Sequence, residues 1–191
     1  MTRLKITTLV IFAILVLQGC AKKEAKNDTS GDNPVTITLD GKNFKSVSID
    51  NFDNIKDTGN WNIYPGGSFL IDTANKFQGK SSVSLKAVSD CFILEKIQGV
   101  PVDKDKIYVI HFYYKLFATQ VGETGYCAGN FLIWLKQGDE TVLMESCQGI
   151  ESWTEKYFYF QPKNNVPVKI ELLVGTTHGV WLDNLIVFEQ Y

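Results

Sequence analysis

Apolar and polar residues alternate with a period of two along most of the chain after residue 33, beginning with Val35, Ile37 and Leu39. This period is typical of β-strands that bury one face. The run from Ile107 to Phe117 is rich in β-branched and aromatic residues, which predicts a central strand. Further strands are predicted at 82–87, 131–136, 141–146, 156–160, 168–174 and 180–188, with a tight turn at Gly138-Asp139. Roughly ten short strands without a sustained helical period predict an all-β antiparallel sandwich or barrel.

The beginning of the chain follows a different pattern. Arg3 and Lys5 precede an apolar run from Leu9 to Leu17, which is followed by Gln18-Gly19-Cys20. A basic start, a short apolar run and small residues at its end are typical of a secretory signal peptide. The apolar run is too short for a membrane-spanning helix, which needs about 20 apolar residues. We therefore predict a signal peptide at residues 1–19 and export of the mature protein.

The segment Leu17-Gln18-Gly19-Cys20 resembles the lipobox of bacterial lipoproteins. The resemblance implies cleavage before Cys20, a diacylglycerol thioether on that cysteine and usually an amide-linked third acyl chain. Two or more acyl chains hold a protein stably at a bilayer. Ala21 is compatible with delivery to the outer membrane. The expected location is therefore a bacterial membrane, either the outer membrane or the cell surface. An uncleaved anchor helix and an ordinary secretory signal are the alternatives.

The segment between the signal peptide and the first predicted strand is polar and charged. Residues 20–33 contain no large apolar side chain after Cys20. Such a segment cannot bury a core, so we predict a lipidated N-terminus followed by a flexible tether. Residues 34–191 then form one domain, which is large enough for a hydrophobic core.

Composition excludes some classes of function. The formal net charge is −2 and the chain has no basic stripe, so we predict no nucleic-acid partner. Aromatic residues make up 13% of the chain, which exceeds the needs of a core and places some rings on the surface. The sequence contains no Gly-X-Ser-X-Gly, His-Glu-X-X-His or P-loop motif. The strand pattern also brings no pair of acids together over a pocket, apart from the acidic residues considered as calcium ligands below. We therefore predict a protein that is not an enzyme.

Five elements, taken in order, resemble the carbohydrate-binding modules of families 4 and 9. They are Asn51-Phe52-Asp53 before Trp61; Gly79 to Leu85; Pro101 to Lys106 followed by Tyr108 and Phe112; Trp153 before Phe158 and Phe160; and Leu182-Asp183-Asn184-Leu185. The resemblance covers roughly residues 48–188. It implies a galactose-binding-like jelly roll that binds poly- or oligosaccharide.

The jelly-roll topology also implies which strands share a sheet. Strands beginning near Cys91, Gly129, Thr141 and Val168 form one sheet, and strands at 80–88, 107–117, 156–160 and 180–188 form the other. Cys127 and Cys147 then lie at the same end of neighbouring strands, which implies a Cys127–Cys147 disulfide. Export favours such a bond. Cys91 lies at the same end and competes as a partner, and three buried free thiols are the other alternative.

The same resemblance implies a structural Ca²⁺. Relatives hold this ion with a carboxylate near the first element, an Asp of the last strand and loop carbonyls. The matching residues are Asp53, Asp183, Asp72 and the carbonyl of Lys80. Oxygen ligands of this kind suit calcium. Asp53 stands where the group usually has Glu. The alternative is that Asp53 and Asp183 cap turns.

Alternation along the predicted strands suggests where a glycan would bind. Sugar rings have apolar faces and polar edges, so their sites combine exposed rings with charged and amide groups. The candidates are Trp134, Lys136, Lys169, Glu171, Tyr113 and Tyr126, with Glu95 and Met144 beside them. Trp61, Trp153 and Trp181 are assigned to the core or to loop packing.

These observations favour a non-catalytic, membrane-anchored lipoprotein that captures carbohydrate at the cell envelope. The alternative is an envelope adhesin or assembly subunit, in which the same sandwich binds protein partners and no glycan. A binder of small ligands for an uptake system is a third possibility.

Overall fold

A computed structural model describes residues 34–88, 91–118, 131–148, 152–176 and 178–191, apart from the side chains of residues 55–57. The signal peptide, Cys20, the tether, Tyr126 and Cys127 lie outside the described residues. In the part that is described, no helix is long and apolar enough to cross a membrane.

The described chain forms twelve strands and a short 3-10 helix at Ile55–Asn60. The strands are β1 Thr36–Leu39, β2 Lys42–Asp50, β3 Trp61–Ile63, β4 Gly67–Asp72, β5 Ser82–Ala87, β6 Phe92–Lys96, β7 Tyr108–Ala118, β8 Phe131–Gln137, β9 Glu140–Cys147, β10 Thr154–Phe160, β11 Lys169–Val174 and β12 His178–Gln190. They form two antiparallel sheets, which confirms the predicted all-β class.

The five-stranded sheet has the order β3-β6-β11-β8-β9. In the seven-stranded sheet, the long strand β12 pairs with β2, β5 and β7, while β1 and β4 extend the two sides and β10 pairs with β7. The predicted division of the strands between two sheets is therefore correct. The sequence analysis did not predict β2, β3 or β4.

The main hydrophobic core lies between the two sheets. Phe112 and Leu182 of the seven-stranded sheet and Leu94, Ile133 and Leu172 of the five-stranded sheet are all 0–1% exposed. Burial of one side of each strand explains the period of two in the sequence. A smaller cluster lies elsewhere on the seven-stranded sheet, where Leu39 and Phe44 pack with Val109 and Phe188.

An ion pair connects the two sheets at one edge of the core. Asp50 ends β2 in the seven-stranded sheet, and Lys96 ends β6 in the five-stranded sheet. The Lys96 ammonium donates a hydrogen bond to Asp50 Oδ2, and the two side chains are only 10% and 1% exposed. Lys96 Nζ also lies 5.5 Å from the ring centroid of Trp61, which is buried in the core as predicted.

The predicted Cys127–Cys147 disulfide is wrong, because Cys147 is a free thiol. Its side chain is 1% exposed and belongs to the hydrophobic core, opposite Phe131 on the neighbouring strand. Burial raises the pKa of the Cys147 thiol to about 12, so the group stays protonated at neutral pH. Cys91 is disulfide-bonded.

We expect Lys96→Met to destabilise the domain by about 3–5 kcal/mol, because it leaves the Asp50 carboxylate buried without its counter-charge. The double variant Asp50→Leu/Lys96→Met removes both charges and should recover much of this loss. Urea unfolding measures both free energies. Lys163→Met is the control, since the Lys163–Glu140 pair is more than half exposed and should cost about 1 kcal/mol or less. Equal destabilisation by Lys96→Met and Lys163→Met would contradict a stabilising role of the buried Lys96–Asp50 ion pair.

Candidate functional site

The outer face of the five-stranded sheet carries alternating charged and aromatic side chains. On β8, Phe131, Ile133 and Leu135 are buried while Trp134 and Lys136 point away from the core. The same period places Lys169 and Glu171 of β11 on the outer face, since Ile170 and Leu172 fill the core. Four predicted ligand-binding residues, Trp134, Lys136, Lys169 and Glu171, thus share one face.

Strand register brings these residues side by side. Trp134 lies opposite Glu171 on β11 and opposite Met144 on β9. Glu171 in turn lies opposite Glu95 on β6. Directly opposed residues have Cβ atoms about 4.5–5.5 Å apart, so these side chains form one continuous surface.

The Trp134 ring is fixed in place from two sides. Its Nε1 donates a hydrogen bond to Thr141 Oγ1 at 2.9 Å. Lys136 Nζ lies 3.5 Å from the centroid of the ring, which is a close cation–π contact. A ring held in this way loses little conformational freedom when a ligand binds to it.

Two ion pairs lie on the same face, on the β11 and β6 side of the ring. Lys136 Nζ donates to both oxygens of Glu171, at 2.9 and 2.7 Å. Lys169 Nζ donates to Glu95 Oε1 at 3.0 Å, and the hydrogen bond from Lys169 lowers the pKa of Glu95 below its usual value. The face therefore presents both lysine donors and carboxylate acceptors.

The sequence analysis missed Tyr64 and Thr141 on this face. The Tyr64 hydroxyl donates to Glu95 Oε2 at 3.1 Å, and its side chain is 45% exposed. Tyr64 follows β3, a strand of three residues, so no alternation was long enough to indicate its orientation. The only signal in the sequence was a tyrosine, an aromatic residue with a polar hydroxyl group, next to the turn residues Pro65 and Gly66.

The sequence analysis also missed the pairing of Glu95 with Glu171. Two opposed carboxylates are the arrangement that glycosidases use. Here each carboxylate is hydrogen-bonded to a lysine, and the lowered pKa of Glu95 is the opposite of what a general acid requires. The lowered pKa therefore argues against a general-acid role for Glu95.

Tyr113 does not belong to this surface. It lies on β7 in the seven-stranded sheet, where its ring stacks on Phe77. Tyr113 and Trp134 thus lie on different sheets, as the implied division of the strands already placed them, so these two predicted ligand-binding residues do not share one site. Trp153 contacts Phe77 of the loop between β4 and β5, and Trp181 packs against Phe117; both contacts fit the expected core or loop-packing role.

The acidic residues proposed as calcium ligands surround one loop. Asp183 Oδ2 accepts hydrogen bonds from the backbone N–H groups of Phe77 and Gln78, at 2.9 and 3.0 Å. Asp53 Oδ1 accepts from the N–H groups of Lys80 and Ser81. Both carboxylates therefore cap the loop at 77–81, as the turn-capping alternative predicts. A side chain at Gly79 would meet the Asp53 carboxylate at 2.5 Å, and its φ of +65° favours glycine as well.

The four residues do not fit a calcium ion. Asp72 uses both oxygens for N–H donors, Oδ1 for the backbone of residues 74 and 75 and Oδ2 for Trp181 Nε1 at 2.8 Å. The carbonyl of Lys80 accepts a hydrogen bond from the Lys76 ammonium at 3.3 Å. A cation would have to displace these positive groups. Among the described residues, no group of three or more acidic, His or Cys side chains is placed to hold a metal.

Asp183 is the most perturbed carboxyl group at this loop. Its side chain is fully buried, and Oδ1 has no hydrogen-bond partner. Burial, with a further contribution from the charge of Asp53, raises the pKa of Asp183 to about 6. Asp72 shows the opposite shift: burial alone would raise its pKa, but hydrogen bonds from Asn75 and Trp181 lower it to about 2.

Comparison with known proteins supports the fold. No family model matches the chain, and no curated protein matches it. The CBM22-1 xylan-binding domain of Paenibacillus barcinonensis Xyn10C is similar in structure, with a TM-score of 0.54 and 14% identity, over 74% of this chain and 92% of that chain. The tandem CBM22-1-CBM22-2 domain of the same protein has a TM-score of 0.55 and 15% identity, over 78% of this chain and 47% of that chain.

A third similar structure is the C-terminal family 22 carbohydrate-binding module of Clostridium thermocellum Xyn10B. Its TM-score is 0.50 at 14% identity, and the match covers 74% of this chain and 92% of that chain. The chain thus has the galactose-binding-like jelly roll of carbohydrate-binding modules, as the sequence resemblance implied. At this level of identity the likeness shows the fold alone.

The raised pKa of Asp183 predicts a specific pH dependence of stability. The folded protein binds this proton more tightly than the unfolded chain does, so the free energy of unfolding should fall as pH rises from about 4 to about 6. The loss from this group is at most about 3 kcal/mol. Asp183→Asn keeps an oxygen acceptor without the charge, so we expect it to remove this pH dependence and to stabilise the domain at pH 7.

Urea unfolding of the wild type and of Asp183→Asn at several pH values between 4 and 7 tests the predicted pH dependence. Asp139→Asn in the exposed β8–β9 turn is the control and should follow the wild type. If the free energy of unfolding of Asp183→Asn still fell with pH as it does in the wild type, Asp183 would not be the source of the pH dependence. A melting temperature that rises with calcium relative to chelator would contradict the conclusion that the loop does not fit the ion.

Proposed function

We propose that the domain binds carbohydrate on the outer face of its five-stranded sheet. The observation that carries the proposal is the Trp134 ring, which is held by Lys136 and Thr141 beside the ion pairs of that face. The apolar face of a sugar can stack on such a ring, while its hydroxyl groups exchange hydrogen bonds with neighbouring charged groups. The jelly-roll fold shared with carbohydrate-binding modules supports this function.

We propose binding without catalysis. Glu95 and Glu171 would orient hydroxyl groups as ionised acceptors, while Lys136 and Lys169 would act as donors. Charge-assisted hydrogen bonds of this kind are about twice as strong as neutral ones, which compensates for competition with water. Xylan is the first ligand to test, since one of the similar structures is a xylan-binding domain.

We further propose that lipid on Cys20 attaches the domain to the outer membrane or the cell surface. The basic start, short apolar run and lipobox-like segment support this location. The polar tether at residues 20–33 would separate the domain from the bilayer. Fixing a binder at a membrane raises the local concentration of its ligand there. The partners would thus be an envelope-associated poly- or oligosaccharide and the membrane itself.

We expect Trp134→Ala to weaken binding of a soluble polysaccharide such as xylan by about thirtyfold, because loss of a central aromatic anchor costs about 2 kcal/mol. Affinity electrophoresis in gels with and without polysaccharide measures the effect. Trp134→Phe keeps a smaller aromatic ring and loses the indole N–H that donates to Thr141, so it should bind more tightly than the alanine variant. Val88→Ala, at a residue that is 61% exposed, is the surface control.

Failure of the wild-type protein to bind any polysaccharide on a broad glycan array would refute the carbohydrate-binding proposal. The adhesin or assembly-subunit alternative would then become the leading function. Retention of wild-type affinity by Trp134→Ala would instead move the binding site away from this face.

We expect Cys20→Ala to stall processing at the signal peptide or to release the protein from membranes. The reason is that the thioether to diacylglycerol requires the cysteine sulfur, and the remaining apolar run is too short to anchor the chain alone. Membrane fractionation and the electrophoretic mobility of the mature protein provide the measurement. Cys147→Ala is the matched control, since this thiol is buried in the sandwich. Wild-type membrane retention and processing of Cys20→Ala would contradict lipid anchoring.

A further inference from the structure

A second set of exposed aromatic side chains lies on the outer face of the seven-stranded sheet. The odd-numbered residues of β10 point outward, and Trp153 directly precedes the strand. This places Trp153, Tyr157 and Tyr159 in one line. Tyr113 of the neighbouring strand β7 lies opposite Glu155 in the same line. Phe77 is added from the loop between β4 and β5. We call this set the aromatic row: Phe77, Tyr113, Trp153, Tyr157 and Tyr159.

The rings of the aromatic row form two contacting groups, and three of the five rings are exposed to solvent. Phe77 stacks on Tyr113 with centroids 3.8 Å apart, and Trp153 lies 6.1 Å from Phe77. Tyr157 and Tyr159 meet edge to face at 6.1 Å. Phe77, Tyr157 and Tyr159 are 40%, 43% and 37% exposed. A monomeric protein rarely exposes so many large rings in one place without a ligand or partner.

Carboxylates lie between the rings. Glu155 Oε1 accepts a hydrogen bond from the Tyr113 hydroxyl at 3.1 Å and lies 2.7 Å from His111 Nε2. At the far end of the row, Asp40 Oδ2 accepts from the Tyr159 hydroxyl at 2.6 Å. The row therefore combines ring faces with fixed acceptors, which is the chemistry that recognises the faces and hydroxyl groups of a sugar.

The fold holds the Phe77 end of the row in place. The backbone N–H groups of Phe77 and Gln78 both donate to the buried Asp183 carboxylate of β12. Since β12 is the long strand of the same sheet, the ring of Phe77 is positioned by the sheet itself. A preorganised ring costs less entropy when a ligand binds.

We propose that the aromatic row is a second carbohydrate-binding surface, for an extended and uncharged glycan. This inference rests on the proposed function and adds a site on the opposite side of the sandwich from Trp134. The row follows β10 from residue 153 to 159, a length of about 20 Å at about 3.3 Å per residue. That length suits an extended chain more than a single sugar. Glu155 and Asp40 would attract hydroxyl donors and repel anionic glycans. With a surface on each outer face, one molecule would hold two polysaccharide chains.

Affinity electrophoresis in gels that contain a neutral polysaccharide tests the row, with an acidic polysaccharide in parallel gels. The variants are Phe77→Ala, Tyr157→Ala, Trp134→Ala and the combinations of Trp134→Ala with each row variant. We expect each row variant to bind roughly tenfold more weakly, as for loss of one aromatic anchor. Leu70→Ala is the control, since Leu70 is 62% exposed on the edge strand β4 of the same sheet. Thermal melting checks that every variant folds.

The combined variants give the decisive results. Residual binding in Trp134→Ala that disappears in Trp134→Ala/Tyr157→Ala would support the second surface. The wild type should also cross-link neutral polysaccharide into turbid aggregates. Trp134→Ala and Tyr157→Ala, each alone, should abolish this turbidity.

Wild-type binding in both row variants, together with complete loss in Trp134→Ala, would overturn the second surface and leave the proposed function intact. Tighter retention of the wild type in acidic gels than in neutral ones would overturn the uncharged ligand class. Absence of wild-type binding to any polysaccharide would overturn both proposals. Self-association in sedimentation equilibrium that Tyr157→Ala abolishes, without a change in glycan retention, would identify the row as a contact between copies of the chain.

Discussion

Burial of one face of each sheet against the other is the constraint on which this structure depends. A strand directs successive side chains to opposite sides, so the residues that fill the core leave every second position facing outward. Phe131, Ile133 and Leu135 pack inside, and Trp134 and Lys136 therefore point to the other side of β8, where they are partly exposed. The candidate site is a direct consequence of how the core is filled.

Buried charges are retained only where their partners are fixed. Lys96 and Asp50 neutralise each other across the two sheets, while the Asp183 carboxylate relies on two backbone N–H groups of a loop. Each carboxylate keeps one buried oxygen without a hydrogen-bond partner, but only Asp50 has a counter-charge, and burial raises the pKa of Asp183 to about 6. This carboxylate nevertheless positions Phe77, which connects a buried group to an exposed aromatic surface.

The two outer faces of the sandwich offer different chemistry. The face around Trp134 pairs a ring with two lysines and two glutamates, so it presents donors and acceptors together. The face along β10 presents more rings, with Glu155 and Asp40 as acceptors. A domain with both faces would suit capture of long glycans at a membrane, since each additional contact along one polymer raises the effective affinity.

Period-two alternation was sufficient to predict the class of fold, the main strands and the outward direction of Trp134 and Lys136 on one strand and of Lys169 and Glu171 on another, because side-chain direction within a strand is a local property. That these two strands share a sheet was implied by the resemblance to carbohydrate-binding modules. Period-two alternation failed at β2, where the pairing with β12 contains a register shift and the alternation is interrupted, and at β3, which has only three residues. The free Cys147, the opposed pair Glu95 and Glu171 and the capped loop at Asp183 were decided only by the tertiary structure. Each depends on which strands are neighbours and which residues face each other across them, and these contacts join segments far apart in the chain.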